Sequence, residues 1–528
     1  MKKIVIVVCL IFFPLLVSAD NLGEKRNFYV DSSYDASKRN TVDAVLLKIS
    51  SKAYFYVDES WWNFAPQNEI SAALGLLGDE FDNKIYPGLV ASYGSEWTPG
   101  IDKDIKVTIL IHSMAKDAGG YFRSNDEYTK LQVPGSNERE MVYLSAARLK
   151  DTNAPSFLAH EFTHLVTFNQ KNKIYGAEED TWLNEARAEY APTLLGYDNI
   201  FSGSYLQNRA QVFSDEPFDS ITDWKGSKAD YGVVSLFTQY LVDYYGKEVL
   251  VDSLRNSKVG IESINYALNK EGSIKNFAQI FTDWMIAVYI NDCNFGASYC
   301  YLNNNLKDLH VYPKINFLPL SGQSILSVTD ITKDWAGNWF KIIGGKGSVK
   351  LSFSSNSGTS FKIPYLVQKN NGSYTVNFLN LVNSRGEISV QNFGTENTAL
   401  IIMPSTQAKT SDFGDNEPSR SFTFTVSASG TGQTVTSNSI PAGFSLVRNL
   451  AFGAKTQDVI YLKYMLASEG CLSGVANTNY FGVQTLAAVK CFQNKYRSQI
   501  SQTAGYPIAV TGFVGNGTRA QLNLLLAK

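Results

Sequence analysis

The sequence is poor in histidine and cysteine and carries almost no net charge. It has four histidines and five cysteines among 528 residues, and its 47 basic and 49 acidic residues leave a formal charge of −2. A balance this even, without a local basic cluster, excludes the electrostatic footprint with which proteins bind nucleic acid or anionic membranes. The hydrophobic content of 44% excludes a disordered chain, and the length predicts several domains rather than a single core.

Long apolar runs are also absent, except at the amino terminus. Lys2 and Lys3 precede an apolar run over residues 4–17, and Val17-Ser18-Ala19 is a small-residue cleavage pattern. The run is shorter than the roughly 20 residues that a membrane span needs, so residues 1–19 are predicted to be a secretory signal peptide. We therefore expect an exported chain, extracellular or attached to the cell envelope, with no transmembrane anchor after cleavage and no nucleic-acid partner.

The cysteines form two local groups. Cys9 lies in the predicted signal peptide, and the other four fall as Cys293 with Cys300 and Cys471 with Cys491. Neither group has the CxxC spacing of a zinc ribbon or redox site, and no histidine lies among them. Two disulfides in an oxidising compartment are the favoured interpretation, and free structural thiols are the alternative.

Composition predicts three folded domains after the signal peptide. Residues 20–315 have a strand-rich first part, to about residue 150, and a helical part after it, which favours an α+β domain. Residues 316–428 contain short alternating strands between Gly, Asn and Ser turns, a pattern typical of a β-sandwich. Residues 429–444 are predicted to be a flexible linker, and residues 445–528 a small helical domain.

Two of the four histidines lie in the segment His160-Glu161-Phe162-Thr163-His164, whose flanks are typical of a helix. Residues four apart share a helix face, so His160 and His164 can bind one metal ion. Glu161 lies at the edge of that face, where we expect it to act as general base toward a zinc-activated water. The alternative is a helix that uses both histidines only for packing, which would bury polar groups at a cost.

A catalytic zinc ion needs a third protein ligand. Glu185 and Glu189 lie four residues apart in a second helical pattern. We predict that Glu185 is the third ligand and that Glu189 accepts a hydrogen bond from a ligating imidazole. The rival acids are interpreted as a solvated turn before that helix; they are Glu178, Glu179 and Asp180.

The segments HEFTH at 160–164 and WLNEARAEY at 182–190 together resemble the gluzincin metallopeptidases, in which HExxH and a later Asn-Glu helix bind one zinc ion. Residues 27–305 are similar to the hyicolysin-like branch of secreted peptidases in further segments: YPG at 86–88, WTPGID at 97–102, GGYF at 119–122 and SNEREM at 136–141. The resemblance implies a zincin-type fold and hydrolysis of peptide bonds. It also implies one zinc ion per chain, held by His160, His164 and Glu185, with catalysis by Glu161.

The same resemblance implies a donor for the oxyanion. Asp230-Tyr231-Gly232 is similar to the tyrosine-bearing helix start of such enzymes, so Tyr231 is the candidate, and a merely packed tyrosine is the alternative. Residues 140–145 are predicted to form the sheet edge that pairs with an extended substrate, and a surface loop at the acidic segment 137–140 is the alternative. The lack of an aminopeptidase-type Gly-x-Met-Glu-Asn motif favours an endopeptidase. His112 is predicted to be structural, and so is His310.

The carboxyl-terminal segment resembles the three-helix peptidoglycan-binding module of secreted bacterial enzymes. The similar motifs are LAFG at 450–453, YFGVQTLAAV at 480–489 and TGFVG at 511–515. This resemblance implies peptidoglycan as a partner, so the leading hypothesis is a secreted zinc endopeptidase for proteins, held at the cell wall. The alternatives are a peptidoglycan endopeptidase with the same zinc chemistry and a catalytically inert adhesion or scaffold protein.

Overall fold

The computed structural model describes residues 19–526 except 116–117, 321–322, 357, 409–418, 430–439, 441–443, 473–477 and 505–507. Nearly all of the predicted signal peptide and most of the predicted linker lie outside the described residues. The chain divides into two units, one with residues up to 217, 224–284 and 300–309, and one with residues 218–223, 285–299 and 310 onward. The domain limits given above remain predictions.

Apolar and β-branched runs form a six-stranded sheet in the first unit. Its strands are β1 (Lys25–Tyr29), β2 (Thr41–Ile49), β3 (Ala53–Asp58), β4 (Val107–His112), β5 (Gly120–Phe122) and β6 (Met141–Ser145). Their spatial order is β1-β2-β3-β4-β6-β5, and β3, β4 and β6 are parallel while the other pairings are antiparallel. The three parallel strands are buried along their whole length, as continuous apolar runs predict.

The edge strands of this sheet are β1 and β5, so the prediction that residues 140–145 form an edge was wrong. β6 pairs with β4 on one side and with β5 on the other. The three residues of β5 are too few to produce a recognisable strand pattern, and this is why the sequence did not reveal the edge. Among the described strands β5 pairs only with β6, which leaves its other side available for an extended peptide.

Three helices of the first unit lie between its strands, and the others follow the last strand. They are α1 (Glu59–Trp62), α2 (Gln67–Glu80), α3 (Tyr86–Tyr93), α4 (Ala154–Thr167), α5 (Thr181–Leu194), α6 (Tyr205–Asp215), α7 (Lys228–Tyr245), α8 (Glu248–Leu254), α9 (Gly260–Lys270) and α10 (Phe277–Ile290), whose last residues belong to the second unit. The first three form the crossover that the parallel strands β3 and β4 require, so the predicted order of strands first and helices afterwards was wrong for them. The predicted helices at α4, α5 and α7 are confirmed.

The central helix of this unit is α4. Every residue from Leu158 to Thr167 is buried, and Phe162 packs against Phe81 and Tyr86 with ring centroids 5.1 and 5.4 Å apart. A helix covered on all sides belongs to the core. The histidines and the glutamate that α4 carries are therefore held in a closely packed surrounding.

The second unit contains eleven described strands; nine form one sheet that bends over on itself, and the two short strands at 361–362 and 405–406 pair separately with each other. The eleven strands are β7 (Lys314–Leu318), β8 (Ser324–Thr332), β9 (Phe340–Gly344), β10 (Gly347–Ser355), β11 (Phe361–Lys362), β12 (Pro364–Lys369), β13 (Tyr374–Phe378), β14 (Arg385–Phe393), β15 (Asn397–Ile402), β16 (Ser405–Thr406) and β17 (Arg420–Ala428). β14 and β15 pair only at Phe393 and Asn397, which separates a β14-β10-β17-β8 layer from a β13-β12-β15-β9-β7 layer. Leu351 of one layer and Ile342 and Leu400 of the other belong to one core, so the predicted β-sandwich is confirmed.

The carboxyl-terminal residues form four helices in the part of the chain that the structure describes. They are α11 (Gln457–Ser468), α12 (Val483–Lys495), α13 (Arg497–Ala504) and α14 (Asn516–Leu526), so the short α13 adds to the three that were predicted. Cys471 and Cys491 form a disulfide beside the core of this region. This confirms the predicted pair Cys471 and Cys491, and Cys293 and Cys300 are each disulfide-bonded as well. No helix among the described residues has the length and apolar character to span a membrane.

Candidate metal centre

Helix α4 places two imidazole rings side by side. His160 and His164 lie one turn apart on the same helix face, and their Nε2 atoms are 3.2 Å apart. Both side chains are buried, with 6% and 7% exposure. The four-residue spacing in the sequence thus becomes a pair of nitrogen atoms that can bind one ion.

Glu185 of α5 completes a triangle of ligand atoms. Its Oε2 lies 3.3 Å from His160 Nε2 and 3.5 Å from His164 Nε2. Ligand atoms about 2.0–2.2 Å from a tetrahedral zinc ion are about 3.3–3.6 Å from one another, so the triangle has about the size of one face of that tetrahedron. Oε2 is buried and accepts no hydrogen bond from the described residues, as expected of an oxygen that faces a cation. The three side chains therefore fit a zinc ion.

The charges of these side chains favour a cation between them. Burial would lower the pKa of His164, but the carboxylate of Glu185 outweighs burial and raises that pKa to about 9. Burial would raise the pKa of Glu185, but His164 and His160 outweigh it and lower that pKa. The carboxylate thus keeps its negative charge in a buried place, where a divalent cation would be attracted.

Glu161 lies beside the triangle and is buried with it. Its carboxylate is within 4.8 Å of the ligand nitrogens of His160 and His164. Burial raises the pKa of Glu161 to about 7, although the two imidazoles oppose this shift. Its side chain lies against β5, because a Cβ atom on Gly120 would be only 2.7 Å from Glu161 Cγ and 3.0 Å from Oε1. A buried carboxyl group beside a candidate metal centre is suited to general acid–base catalysis.

Glu189, the predicted partner of a ligating imidazole, lies behind His160. Its Oε1 is 3.4 Å from His160 Nδ1, and the hydroxyl of Tyr205 lies 3.4 Å from the same nitrogen. Oε1 also accepts hydrogen bonds from Tyr205 Oη at 2.6 Å and from Arg209 Nη2 at 2.8 Å, and Oε2 accepts one from Arg209 Nε at 2.7 Å. A carboxylate that faces Nδ1 of an imidazole favours the tautomer in which Nε2 is free to bind a metal.

Tyr205 and Arg209 were not found from the sequence. They lie four residues apart on one face of α6, whose start is capped by Ser204 through a hydrogen bond from Gln207 N at 3.1 Å. The only sequence signal was a tyrosine and an arginine at helical spacing after a capping serine. That pattern occurs on many exposed helices, so it does not indicate that this face meets Glu189.

Two tyrosines approach the centre. The ring of Tyr231, in the first turns of α7, has its centroid 6.5 Å from that of His160, and burial raises the pKa of its phenol. Tyr34, in the loop between β1 and β2, stacks on Tyr121 of β5 with 4.7 Å between ring centroids. Burial and the carboxylate of Glu161 raise the pKa of Tyr34. The amino-terminal segment thus contributes a phenol to the site, which the sequence did not indicate.

His112 was predicted to be structural, and Glu179 was predicted to lie in a solvated turn. His112 is buried, with Nδ1 3.3 Å from Asp35 and Nε2 3.2 Å from the hydroxyl of Tyr121, which agrees with a structural role. The interpretation of Glu179 as part of a solvated turn was wrong, because its side chain is 2% exposed and pairs with Arg187 at 2.8 Å. A buried arginine opposite an acid is a tertiary feature that the local sequence does not show.

Comparison with known proteins gives one relative with partial coverage. No protein-family model matches the chain. The chain is similar to the neutral metalloprotease ShpI of Staphylococcus hyicus, with 28% identity over 243 residues that make up 40% of this chain and 52% of the relative. It therefore spans about half the length of the curated relative that it matches.

Similarity to solved structures is weak. The pre-peptidase C-terminal domain of a collagenase from Bacillus anthracis has 7% identity and a TM-score of 0.15, covering 22% of this chain and 96% of that chain. The lysozyme inhibitor PliG of Aeromonas hydrophila has 7% identity and a TM-score of 0.14, covering 22% and 98%. Scores this low carry no argument about this chain.

Proposed function

We propose that the chain is an exported zinc metallopeptidase of the hyicolysin-like type that cleaves peptide bonds within proteins. The observation that carries the proposal is the triangle of His160, His164 and Glu185 ligand atoms with Glu161 beside it. The similarity to a neutral metalloprotease supports a metallopeptidase. All the groups that the chemistry needs are present, which argues against an inert adhesion or scaffold protein.

The residues of α4 and α5 would hold one zinc ion per chain. When bound, the zinc would lower the pKa of a water molecule and polarise the carbonyl group of the peptide bond. Glu161, whose carboxylate lies within 4.8 Å of the ligand nitrogens, accepts a proton from the attacking water and returns it to the departing nitrogen. Tyr231 donates a hydrogen bond to the carbonyl oxygen as negative charge develops on it. Glu189 keeps the His160 ring in the tautomer that binds the metal.

The edge strand β5 is the proposed docking place of the substrate. Gly120 of β5 lies against Glu161, so a peptide that pairs with this strand passes next to the general base. Backbone pairing of this kind recognises an extended chain with little demand on its sequence. This supports an endopeptidase that acts on unfolded or flexible segments of proteins.

We further propose that the carboxyl-terminal helices attach the enzyme to peptidoglycan. The helical region contains a cleft of about 420 Å³, lined by residues that include Asn449, Gln493, Phe513 and Thr518. Phe513 is 45% exposed, and an exposed aromatic ring at a polar cleft is typical of a sugar-binding surface. The two disulfides support export to an oxidising compartment.

The test measures zinc content by elemental analysis and casein hydrolysis, on the mature protein and on Glu161→Gln. We expect one zinc ion per chain in both and hydrolysis only by the native protein, because the variant keeps the ligands and loses the base. Glu262→Gln, an exposed acid on α9, is the matched control and should retain full activity. Native protein without zinc would contradict the ligand assignment.

A second assay distinguishes a protein substrate from peptidoglycan. Native protein is incubated with purified peptidoglycan and, in parallel, with casein, and both binding and cleavage are measured. Co-sedimentation with peptidoglycan together with casein cleavage is the expected result. Zinc-loaded protein that cleaves peptidoglycan cross-links but not casein would replace the protein substrate by the cell wall, and failure to sediment would refute the attachment.

A further inference from the structure

Arg209 holds Glu189 with two nitrogen atoms. Nε donates to Oε2 at 2.7 Å, and Nη2 donates to Oε1 at 2.8 Å. The side chain of Glu189 has no exposed surface, so Arg209 compensates a charge that bulk water does not reach. A two-point contact of this kind determines the orientation of the carboxylate plane as well as its position.

The same guanidinium group lies against two aromatic rings. Its central carbon is 4.7 Å from the ring centroid of Tyr205 and 4.7 Å from that of Tyr231. Nη2 also donates a hydrogen bond to Tyr205 Oη at 2.6 Å. Attraction between a cation and the face of a ring adds to these contacts, so moving Arg209 would remove one contact from each ring.

Through these contacts Arg209 connects Glu189 and Tyr231, which both lie near His160. Arg209 holds the carboxylate whose Oε1 is 3.4 Å from His160 Nδ1, and it also holds the ring of Tyr231, which lies 6.5 Å from the His160 ring. We propose that Arg209 is the positioning residue of the centre, which orients Glu189 toward His160 and keeps Tyr231 beside the reacting group. The inference rests on the proposed zinc peptidase function. It means that α6, a helix that contributes no zinc ligand, influences the zinc affinity of the centre.

Among the basic side chains, only arginine can donate to both oxygens of Glu189 and also present a planar face to the two tyrosine rings. A lysine ammonium is a point charge that cannot donate to both carboxylate oxygens in one plane, and it has no planar face for the two rings. Lysine at position 209 would therefore compensate the charge of Glu189 without fixing its orientation. A purely electrostatic role would be restored by lysine, and a positioning role would not.

The experiment uses the full mature chain with Arg209→Lys and Arg209→Gln, and Arg255→Gln on the exposed end of α8 as control. Zinc affinity is measured by competition with a chelator, and the visible absorption of the cobalt-substituted protein reports the ligand field. Loss of a hydrogen-bond partner of a ligating imidazole typically weakens metal binding about 10- to 100-fold. We expect that loss in both Arg209 variants, an altered cobalt spectrum, and at saturating zinc a lower kcat with little change in KM.

The outcomes distinguish this inference from the proposed function. Native protein that binds no zinc contradicts both. Native protein with one zinc ion, together with an Arg209→Lys variant that matches it in affinity and spectrum, contradicts the positioning role alone. If Arg209→Gln does not fold, a double-mutant cycle of Arg209→Lys and Glu189→Gln tests the positioning role. An effect on zinc affinity that Arg209 exerts through Glu189 must disappear when Arg209→Lys is made in the Glu189→Gln variant.

Discussion

Gly120→Ala is the substitution that tests the placement of the proposed general base most directly, because it adds one carbon atom next to Glu161 and changes no proposed ligand. The new Cβ would lie 2.5 Å from the carbonyl oxygen of Tyr143, 2.7 Å from Glu161 Cγ and 3.0 Å from Glu161 Oε1. Carbon atoms in contact prefer about 3.5–4.0 Å, so the Glu161 side chain must retreat by about 1 Å. The oxygen of Tyr143 belongs to the backbone of β6 and cannot move away alone.

A displacement of about 1 Å in a catalytic group can cost about 100-fold in rate, which corresponds to about 2.7 kcal/mol in the barrier. We therefore expect kcat/KM on a casein-derived fluorogenic peptide to fall about 100-fold. Overpacking should also lower the free energy of unfolding by about 1–3 kcal/mol. Zinc content should stay at that of the native protein, because the variant changes no ligand.

Gly75→Ala on α2 is the matched control. A Cβ atom at Gly75 meets nothing within 4 Å, so this variant should keep full activity and gain up to about 1 kcal/mol in helix stability. Native kcat/KM in Gly120→Ala would refute the position of Glu161 against β5. Loss of zinc from Gly120→Ala would refute the argument that only the base is displaced.

Three further predictions follow from the structure. Tyr231→Phe should lower kcat by about 10- to 100-fold, because a developing oxyanion loses one donor, and Tyr34→Phe should lower it less; equal kcat in Tyr231→Phe and native protein would reassign the donor. Cys471→Ser with Cys491→Ser should destabilise the carboxyl-terminal region by about 3 kcal/mol, since the disulfide closes a loop with a separation of 20 residues, and chemical denaturation measures this. Burial raises the pKa of Glu140 to about 8 from an ordinary value of 4.5. The folded protein therefore holds this proton more tightly than the unfolded chain, and the stability that Glu140 contributes is fully present below pH 4.5 and is lost as the pH rises to about 8. Over this range the Tm of Glu140→Gln should fall less than the Tm of native protein.

The pH prediction depends on Glu140 being neutral in the folded protein. Its Oε1 accepts a hydrogen bond from Ile101 N at 2.7 Å, and its Oε2 is buried without a partner among the described residues. A glutamine keeps the acceptor and has no charge to bury at any pH. The same pH dependence of Tm in variant and native protein would show that another group is responsible.

Local spacing was sufficient for the part of the site that lies within single helices. His160 and His164 are one helical turn apart wherever that segment is helical, and Glu161 then follows at the edge of the same face. The pair Glu185 and Glu189 is determined by α5 in the same way. The disulfide between Cys471 and Cys491 was also accessible from the sequence, because it joins cysteines that are near one another along the chain.

The rest of the site was decided by tertiary structure. Whether Glu185 approaches the histidines depends on how α4 and α5 pack, and only the fold shows the 3.3 and 3.5 Å distances. Arg209 and Tyr34 come from segments with no distinguishing pattern, since an arginine on a helix or a tyrosine in a loop is usually on the surface.

The edge strand was decided in the same manner. β5 has only three residues, and its position beside β6 results from pairing over distance and not from its own composition. The sequence by itself therefore determined that His160 and His164 share one helix face with Glu161 at its edge, because a helix repeats every 3.6 residues whatever surrounds it. Tertiary structure alone decided which distant side chains meet that face, because those contacts depend on the packing of the whole unit and not on local spacing.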